Sequence, residues 1–437
     1  MLGIGRSGVA AAQALLTLGL QPVVVDEGTG DSPARDRAAA RLAELGVEAI
    51  PRWSGEFADL GAESVVVSPA APKTHAGLLR AEQAGIEVIG EIELAYRVAR
   101  APIVAITGTN GKSTTTVMTW LALRAVGRTA WLCGNIYGSG YAEVPLTEAA
   151  LAAGPDDVLV AEVSSFQLER VSRFRPRAAA ITNLTPDHLN RYRDFADYAT
   201  TKRRVFAAQV AHDTAVVPLG VPAPKGPLVR TFGGPHADAR VEHGNLVVGN
   251  WSTALDELPF AEPHNVLNAQ TALLLGEAIA GTDALDGLAD GLHGFRGLVH
   301  RMERVGEHGG VLLINNSMCT NPAAVLASSD SVQARVQHLL VGGANKSLDF
   351  APLKALHEGP ERRLYLFGSE AQAIDVLVGG RNCVFDTLDE AFAEAVANAE
   401  PGDVVMLAPG CASTDQFEDF RERGELFRRL AKEWLER

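Results

Sequence analysis

The stretch Ile103-Val-Ala-Ile-Thr-Gly-Thr-Asn-Gly-Lys-Ser-Thr-Thr-Thr116 decides how this chain folds. A short apolar, β-prone run ends in two glycines, and a lysine and a series of hydroxyl residues follow. The apolar residues after them recur at helical spacing and predict one buried helix face: Val117, Met118, Leu121 and Leu123. A strand, a glycine-rich turn and a helix start together bind phosphate, because backbone N–H groups and the positive end of the helix dipole point at the anion.

The loop also carries the side chains that a nucleoside triphosphate needs. Lys112 adds a mobile positive charge for the β- and γ-phosphates, and the hydroxyl of Ser113 or Thr114 is available to Mg²⁺. The spacing Gly108-x-x-Gly111 lacks the upstream glycine of the standard phosphate-loop pattern. An ordinary strand-to-helix turn is the alternative, but such a turn does not require two glycines, a lysine and four hydroxyl residues within eight positions.

Composition and charge limit the class of protein. The 437 residues give room for two to four domains, and 47% hydrophobic with 21% charged residues is typical of globular proteins. A net charge of −14 argues against a general nucleic-acid or membrane partner, so any polyanionic ligand must be held by local Lys, Arg and backbone donors. No apolar run reaches the roughly 18–20 residues needed to cross a bilayer. The four cysteines are widely spaced, which favours reduced thiols in a cytoplasmic protein.

Strand-like and helix-like segments alternate through three blocks, which is typical of α/β folds. We predict domains at residues 1–92, 93–296 and 297–437, with a hinge near Gly297. The first and last domains are expected to be Rossmann-like. The central one is expected to resemble a P-loop ATPase with a mostly parallel sheet.

The first block opens with a glycine pattern of its own. Gly3-Ile-Gly5-Arg-Ser-Gly8 precedes a helical stretch, and Asp26 ends the next strand. A G-x-G-x-x-G turn with an acid at the following strand end suggests a Rossmann-like nucleotide site. Only two residues precede Gly3, so the strand that leads into the turn is either stunted or begins upstream.

Polar residues end two further apolar strands in the second block. Glu162 ends one of them and is placed to bind Mg²⁺, although a surface acid at a loop start is the alternative. The segment after the other strand holds His188, a candidate metal ligand, and Arg191, a candidate contact for a carboxylate or phosphate. Both strand ends are expected at one sheet edge, where ligands gather. Lys202, taken by itself, is predicted to be a solvated helix lysine.

One later helix and the third block complete the predicted elements. A helix opens at His264-Asn265, and three of its leucines are expected in the core: Leu267, Leu274 and Leu275. Apolar strands are predicted in the third block at residues 311–314, 338–341, 364–367 and 404–407. Helices are predicted there at residues 389–399 and 424–435.

Taken together, these segments resemble the Mur ligases, the ATP-dependent amide ligases of peptidoglycan precursor synthesis. The loop Thr107–Thr114 marks the superfamily, which includes folylpolyglutamate synthase. Three stretches resemble the branch that adds D-glutamate: Glu162–Glu169, Gly342–Phe350 and Ala408–Phe417, the last leading to Phe420. The resemblance covers nearly the whole chain.

The resemblance implies a role for each motif. The residues implied at ATP are Gly108, Thr109, Asn110, Gly111, Lys112, Ser113, Thr114, Asn265, Asn268, Arg301 and Asn316. The residues implied at the UDP substrate are Gly5, Arg6, Ser7, Asp26, Ser68, Asn135 and Arg191. Those implied at D-glutamate are Thr320, Lys346, Ser413, Thr414 and Phe420. Two Mg²⁺ are implied at Ser113, Glu162, His188 and Lys202, with Lys202 carbamylated by CO₂. The implied catalytic residues are Lys112, His188, Lys202 and Arg301.

The implied reaction joins two small molecules. ATP converts the alanyl carboxylate of UDP-N-acetylmuramoyl-L-alanine to an acyl phosphate, which the amine of D-glutamate attacks. A cytoplasmic monomer with no nucleic-acid or membrane partner is expected.

Two departures from the family pattern lie near the implied nucleotide site. The family usually has Asn-Asp-Ser-Lys-Ala-Thr-Asn where this chain has Asn315-Asn-Ser-Met-Cys-Thr-Asn321, so Asn316 and Met318 replace an acid and a lysine. Loss of a charged contact costs about 1.5–3 kcal/mol, or roughly ten- to a hundredfold in binding or rate. Two alternatives therefore stay open: a degenerate relative that binds nucleotide with little or no turnover, and another amide ligase that adds a diamino acid or extends folate.

Overall fold

The structure is a computed structural model, and it describes residues 1–30, 32–189, 191–260, 262–345, 349–357, 361–379 and 382–437. These residues divide into two compact units. The first unit comprises Met1–Tyr137 with Tyr141–Arg296, and the second comprises Gly138–Gly140 with Gly297–Arg437. The boundary at residue 92 stays a prediction.

The first residues of the first unit build a parallel sheet. Its strands are β1 (Val23–Asp26), β2 (Glu48–Pro51), β3 (Ser64–Val67) and β4 (Glu87–Gly90). Its helices are α1 (Arg6–Thr17), α2 (Pro33–Glu44), α3 (Ala76–Gln83) and α4 (Glu91–Val98). Leu2 forms parallel bridges with both Val25 and Val67 and so joins the pair β1–β2 to the pair β3–β4. The strand pairing before the glycine turn is therefore limited to the bridges of Leu2.

The rest of the first unit is built on a second, larger sheet. Its strands are β5 (Ile103–Thr107), β6 (Ala130–Gly134), β7 (Glu143–Val144), β8 (Val158–Glu162), β9 (Ala178–Ile181), β10 (Thr214–Pro218), β11 (Leu228–Phe232), β12 (Ala239–Glu242), β13 (Asn245–Val248) and β14 (Trp251–Ala254). Its helices are α5 (Lys112–Ala125), α6 (Leu146–Ala152), α7 (Ser165–Leu168), α8 (Phe195–Arg203), α9 (Pro263–Ala280) and α10 (Leu285–Leu292). Among the described residues the strand order is β14-β13-β12-β11-β10-β9-β5-β8-β6-β7, and the pairs β12–β13 and β13–β14 are antiparallel.

Strand β5 lies between β8 and β9, and all five of its residues are buried. Burial on both faces explains its continuous apolar sequence. The phosphate loop consequently leaves the sheet at a central strand, and the polar ends of β8 and β9 lie on either side of it.

Helix packing confirms most of the predicted core positions of this sheet. Val117, Met118 and Leu123 are buried, and Leu121 is half-buried. The prediction for Leu267 was wrong, because its side chain is 40% exposed, whereas Leu274 and Leu275 are buried. Helix α9 is rotated so that Asn268 faces the phosphate loop, and this rotation leaves the preceding leucine, Leu267, towards solvent.

The second unit contains a third sheet with helices on both faces. Its strands are β15 (Glu303–His308), β16 (Val311–Asn315), β17 (Gln337–Gly342), β18 (Arg362–Phe367), β19 (Cys383–Phe385) and β20 (Val404–Gly410). Its helices are α11 (Pro322–Asp330), α12 (Ala371–Val378), α13 (Leu388–Ala397) and α14 (Phe420–Leu435). The described strands run β15-β16-β20-β17-β18-β19, and β15 with β16 forms an antiparallel hairpin. Separate apolar clusters pack on the two faces of this sheet.

The predicted α/β class is confirmed by these three sheets, as are the four strands predicted in the third block. The last helix begins at Phe420 rather than at Gly424. The carboxylate of Asp419 accepts hydrogen bonds from the backbone N–H groups of Arg421 and Glu422, and this N-cap starts the helix early. Among the described residues, every helix falls short of the length and apolar character that a membrane span requires.

Candidate active site

The phosphate loop depends on its two glycines. Gly108 has φ 148° and Gly111 has φ 80°, values that L side chains rarely adopt. A Cβ on Gly108 would collide with the hydroxyl of Thr182, and one on Gly111 would lie 2.5 Å from Oδ1 of Asn268. The loop backbone therefore approaches β9 on one side and α9 on the other more closely than any side chain would permit.

Hydrogen bonds from the end of β9 fix the loop in place. Asn183 accepts at Oδ1 from the backbone N–H of Asn110 (2.9 Å) and donates to its carbonyl (3.0 Å). Thr182 donates to the same carbonyl at 2.6 Å. Lys112 donates to the carbonyl of Thr109 at 2.8 Å, and the loop is thus shaped by contacts within the protein. Such a pre-formed loop suits the binding of a phosphate chain.

The first turn of α5 and the start of α9 face one another at this loop. Ser113 and Thr114 are buried in that turn. Thr115 donates to Oδ1 of Asn268 at 3.1 Å, and Asn268 donates to Asn265 at 3.4 Å. The structure therefore brings Asn265 and Asn268 of α9, which are predicted to contact ATP, next to the predicted phosphate loop.

Glu162 is the acidic group of this sheet edge. Its side chain is buried at the end of β8, and Oε1 accepts from the side-chain N–H of Asn135 at 2.9 Å. Oε2 is also buried and has no hydrogen-bond partner among the described residues. A buried carboxylate oxygen is costly unless a donor or a cation meets it. The interpretation of Glu162 as a surface acid is therefore wrong, and its orphaned oxygen fits a bound cation.

Lys202 lies in α8 beside the loop, and the prediction of a solvated lysine was wrong. The residue is 2% exposed, and Nζ donates to the carbonyl of Gly108 at 2.6 Å. Burial lowers the pKa of Lys202 to about 7, with a further contribution from Lys112 that Asp187 and Glu162 oppose. A substantial fraction of this amine is neutral near pH 7.

His188 follows β9 in a left-handed turn with φ 53°. Its ring packs on Phe166 with centroids 4.8 Å apart. Burial lowers the pKa of His188, and Lys202 and Lys112 add to this effect while Asp187 opposes it. The neutral imidazole is favoured, which is the form that binds metal ions.

The described side chains at this sheet edge do not form a compact cluster of metal ligands. Within the described part of the chain, no group of three or more His, Cys, Asp or Glu side chains is placed to hold a metal ion. The Glu162 carboxylate and the hydroxyls instead suit Mg²⁺, which takes one or two carboxylates and completes its shell with phosphate oxygens and water. The residues present therefore fit Mg²⁺ bound together with a nucleotide.

A cavity of about 750 Å³ lies at the start of α1 and includes the predicted residues Gly5, Arg6 and Asp26. Three further arginines line it, and the sequence reasoning missed them: Arg35, Arg37 and Arg41 of α2. The four-residue spacing of the last two on one helix was the available signal. Asp26 and Glu148 also line the cavity, and Arg35 already pairs with Asp26 at 3.0 Å, so the four arginines leave a net positive charge that suits an anionic ligand.

Two other residues predicted at the UDP substrate, Ser68 and Arg191, make contacts within the protein. Ser68 packs against Gly3, on which a Cβ would lie 2.8 Å from the serine Cβ. Arg191 uses four of its five N–H groups on Glu169, Ala70 and Ala71. Its contact with a substrate stays a prediction.

In the second unit, Asn316 and Met318, which stand where the family usually has an acid and a lysine, have defined contacts. Asn316 donates to the hydroxyl of Ser328 at 2.7 Å and accepts from the backbone N–H of Met302 at 3.2 Å. Nη2 of Arg301 donates to the sulfur of Met318 at 3.0 Å. The amide of Asn316 thus ties the end of β16 to α11 and to the start of the hairpin.

Buried Arg423 organises the predicted D-glutamate residues, although the sequence reasoning gave it no role. It donates to the carbonyls of Ser317 (2.9 Å) and Ala412 (3.1 Å), and the Ser317 hydroxyl donates to the carbonyl of Phe420 at 2.6 Å. These bonds join the loops that carry Thr320 and the predicted pair Ser413 and Thr414 to the start of α14. Lys346 lies outside the described residues.

The fold and this site define a class first: an α/β protein with a phosphate loop at the centre of a mostly parallel sheet. The family model described as "Mur ligase middle domain" matches residues 106–276, and "Mur ligase, glutamate ligase domain" matches residues 300–411. The chain is 38% identical over 451 residues to a UDP-N-acetylmuramoylalanine–D-glutamate ligase of Pelotomaculum thermopropionicum, covering 98% of this chain and 96% of that protein. It is 39% identical over 466 residues to the protein of the same name from Anaeromyxobacter dehalogenans, covering 99% and 97%.

Solved structures of the same kind share the fold. A UDP-N-acetylmuramate-alanine ligase from Thermotoga maritima superposes with a TM-score of 0.60 at 18% identity, over 99% of this chain and 98% of that one. A MurF ligase from Thermotoga maritima in complex with ADP has a TM-score of 0.57 at 17% identity, over 85% and 96%. The chain belongs to the Mur ligase family of ATP-dependent amide ligases, as the sequence predicted.

Proposed function

We propose that this chain joins D-glutamate to UDP-N-acetylmuramoyl-L-alanine at the expense of ATP, as a cytoplasmic monomer in peptidoglycan precursor synthesis. The observation that carries the proposal is the near-full-length similarity to relatives that bear this name. The chemistry of the site is consistent with it, because Lys112 of the phosphate loop and the arginines of the N-terminal cavity match the negative charge of ATP and of a UDP group.

ATP would be held by the phosphate loop. The backbone N–H groups at the start of α5 would bind the phosphate chain, and Lys112 would exchange its contact with the Thr109 carbonyl for the β- and γ-phosphates. Asn265 and Asn268 would lie by the adenine. Arg301 would contact the phosphate that is transferred, because a guanidinium matches its oxygens.

Two Mg²⁺ would be held at the edge between β8 and β9. The orphaned Oε2 of Glu162 and the hydroxyl of Ser113 would bind one ion, and His188 and Lys202 would bind the other. Bound Mg²⁺ would offset the negative charge that builds as a carboxylate approaches a phosphate. Lys202 would serve as a carbamate, because a buried and partly neutral amine adds CO₂ and becomes an anionic oxygen ligand.

The UDP substrate and D-glutamate would be bound by different sets of residues. Arg6 and the other arginines of the N-terminal cavity would hold the UDP group, and Asn135 would contact the muramoyl part. The D-glutamate residues would be Thr320, Lys346, Ser413, Thr414 and Phe420. The substrate carboxylate would take the γ-phosphoryl group of ATP and release ADP. The amine of D-glutamate would then attack the acyl carbon and lose a proton, and phosphate would leave as the amide bond forms.

Phosphate release tests the proposal. Wild-type protein with Mg²⁺, ATP, UDP-N-acetylmuramoyl-L-alanine and D-glutamate should release phosphate, and omission of either organic substrate should return the rate to background. L-lysine, diaminopimelate or L-glutamate should not replace D-glutamate. Use of one of these would favour another ligase of the family.

The contacts of Asn316 and Met318 favour a second candidate, a degenerate relative that binds nucleotide without turnover. The Asn316 amide is engaged within its own unit, and Met318 brings a neutral sulfur to Arg301. Absence of phosphate release above background would support this candidate. The double variant Asn316→Asp with Met318→Lys should then gain activity if the missing charges are the cause.

A further inference from the structure

Glu169 ends the motif Glu162–Glu169 and lies outside the residues proposed to contact ATP, Mg²⁺ or the substrates. Its side chain is 2% exposed at the end of α7. Arg191 meets it with two parallel bonds, Nε to Oε1 at 2.8 Å and Nη2 to Oε2 at 2.7 Å. The hydroxyl of Tyr192 donates to Oε1 at 2.9 Å. A carboxylate buried with this number of donors fixes the groups that contact it.

The two residues that Glu169 holds close the turn that carries His188. The backbone N–H groups of Arg191 and Tyr192 both donate to the carbonyl of His188, at 2.9 and 3.1 Å. His188 itself has φ 53°, a left-handed conformation that is unfavourable for a residue with a side chain. Contacts on the following residues must therefore maintain the turn, and Glu169 supplies the charged ones.

The same ion pair also sets the orientation of the imidazole ring. The guanidinium of Arg191 lies over the ring of Phe166, 4.1 Å from its centroid. Phe166 also contacts the imidazole ring of His188, at a centroid distance of 4.8 Å. The order Glu169, Arg191, Phe166, His188 is thus a continuous series of contacts from a buried anion to a candidate metal ligand.

Arg191 reaches the first sheet of the unit as well. Its Nη2 donates to the carbonyl of Ala71 at 3.0 Å, and Nη1 donates to that of Ala70 at 3.4 Å. Both carbonyls follow Ser68, a residue predicted at the UDP substrate. One side chain therefore holds the loop after β3 and the turn after β9 together, with one N–H left for any other contact.

We propose that Glu169 and Arg191 form a positioning pair that aligns His188 for the second Mg²⁺, and that Arg191 does not contact the UDP substrate directly. This inference rests on the proposed function for the identity of the ion and for the role of His188 as its ligand. Partners that orient a metal ligand typically change metal affinity or activity ten- to a hundredfold when altered.

The test compares three variants in the full chain. Glu169→Gln keeps the shape and removes the charge, and Arg191→Lys keeps the charge but loses the paired bonds and the stacking. Glu82→Gln is the matched control, because Glu82 pairs with Arg170 in the same unit but is 43% exposed and has no described contact with the His188 turn.

Mn²⁺ is the probe, titrated by electron paramagnetic resonance in the presence of a non-hydrolysable ATP analogue. We expect the weaker of the two Mn²⁺ affinities to fall tenfold or more in Glu169→Gln and Arg191→Lys, and to stay unchanged in Glu82→Gln. In the phosphate-release assay, kcat should fall tenfold or more, while KM for the UDP substrate changes less than threefold. Thermal unfolding identifies any variant that fails to fold, and the other variant then carries the test.

Wild-type Mn²⁺ affinity in both folded variants would overturn the proposal. A tenfold rise in KM for the UDP substrate in Arg191→Lys, with unchanged Mn²⁺ affinity, would overturn it too and would establish a direct substrate contact. Failure of the proposed function would give a different result. The wild-type protein would then release no phosphate, while the Mn²⁺ affinities of the wild type and the variants could still be compared.

Discussion

Replacement of Gly111 by Ala should damage the nucleotide site through one identifiable contact. A left-handed residue with a Cβ costs about 1–2 kcal/mol, and Gly111 has φ 80°. The new Cβ would lie 2.5 Å from Oδ1 of Asn268, so this side chain must move and its bond from Thr115 is lost. Loss of that bond adds about 0.5–1.5 kcal/mol, for a total of roughly 1.5–3.5 kcal/mol.

The same helix provides a matched control for the backbone strain. Gly127 follows the end of α5, has φ 78°, and would place a Cβ with nothing within 4 Å. Gly127→Ala should therefore cost about 1–2 kcal/mol from strain alone and leave nucleotide binding unchanged. Gly111→Ala should lower the unfolding midpoint somewhat further and weaken ADP binding tenfold or more, measured by calorimetry. ADP affinity equal to wild type in folded Gly111→Ala would refute the view that this glycine shapes the nucleotide site.

Three other changes test the remaining electrostatic features. Glu162→Gln should abolish the tighter Mn²⁺ affinity without lowering the unfolding midpoint, because the orphaned buried oxygen loses its charge; a lower midpoint would mean that the carboxylate is already paired. Lys202→Ala should nearly abolish phosphate release, and short-chain carboxylic acids should restore part of it; full activity would reject the carbamate. Burial by itself would raise the pKa of Asp403, but hydrogen bonds from a backbone N–H, His338 and Arg335 outweigh it and lower that pKa. The stability from this carboxylate is thus present above about pH 4 and is lost as the pH falls further. Asp403→Asn should therefore be destabilising at pH 7 and less destabilising at pH 3, as judged by unfolding midpoints at both values.

Local patterns predicted the phosphate loop and its sheet edge because the information is local. The apolar run of β5, the two glycines and Lys112 are contiguous, and each restricts the backbone of its neighbours. Glu162 could also be placed, since carboxyl ends of neighbouring parallel strands share an edge. The exposure of Leu267 could not be predicted, because the rotation of α9 follows from the contact of Asn268 with a loop more than 150 residues away in the chain.

The burial of individual polar side chains could not be predicted from the sequence either. Lys202 sits in a polar helical segment that gives no sign of a core position, and only its contact with the Gly108 carbonyl shows that the side chain points inwards. Arg423 is surrounded in sequence by charged residues, yet it is buried by loops that end two separate strands. In both cases the decisive partners are carbonyl groups of distant backbone, whose position depends on the assembled sheet.

The two unfavourable charges beside the phosphate loop are best understood together. Glu162 is an anion with one orphaned oxygen, and Lys202 is a cation that burial partly neutralises. A protein selected for stability alone would pair them, because a direct bond would relieve both costs. Here Asn135 holds one oxygen of Glu162, and the Gly108 carbonyl holds the amine of Lys202, so each group is anchored by a neutral partner. The fold thus maintains two groups with unbalanced charge at the edge where a phosphate loop opens. A divalent cation would satisfy the orphaned oxygen of Glu162, and conversion of the Lys202 amine to a carbamate would remove its positive charge and supply a second anionic oxygen for the cations that accompany a nucleotide.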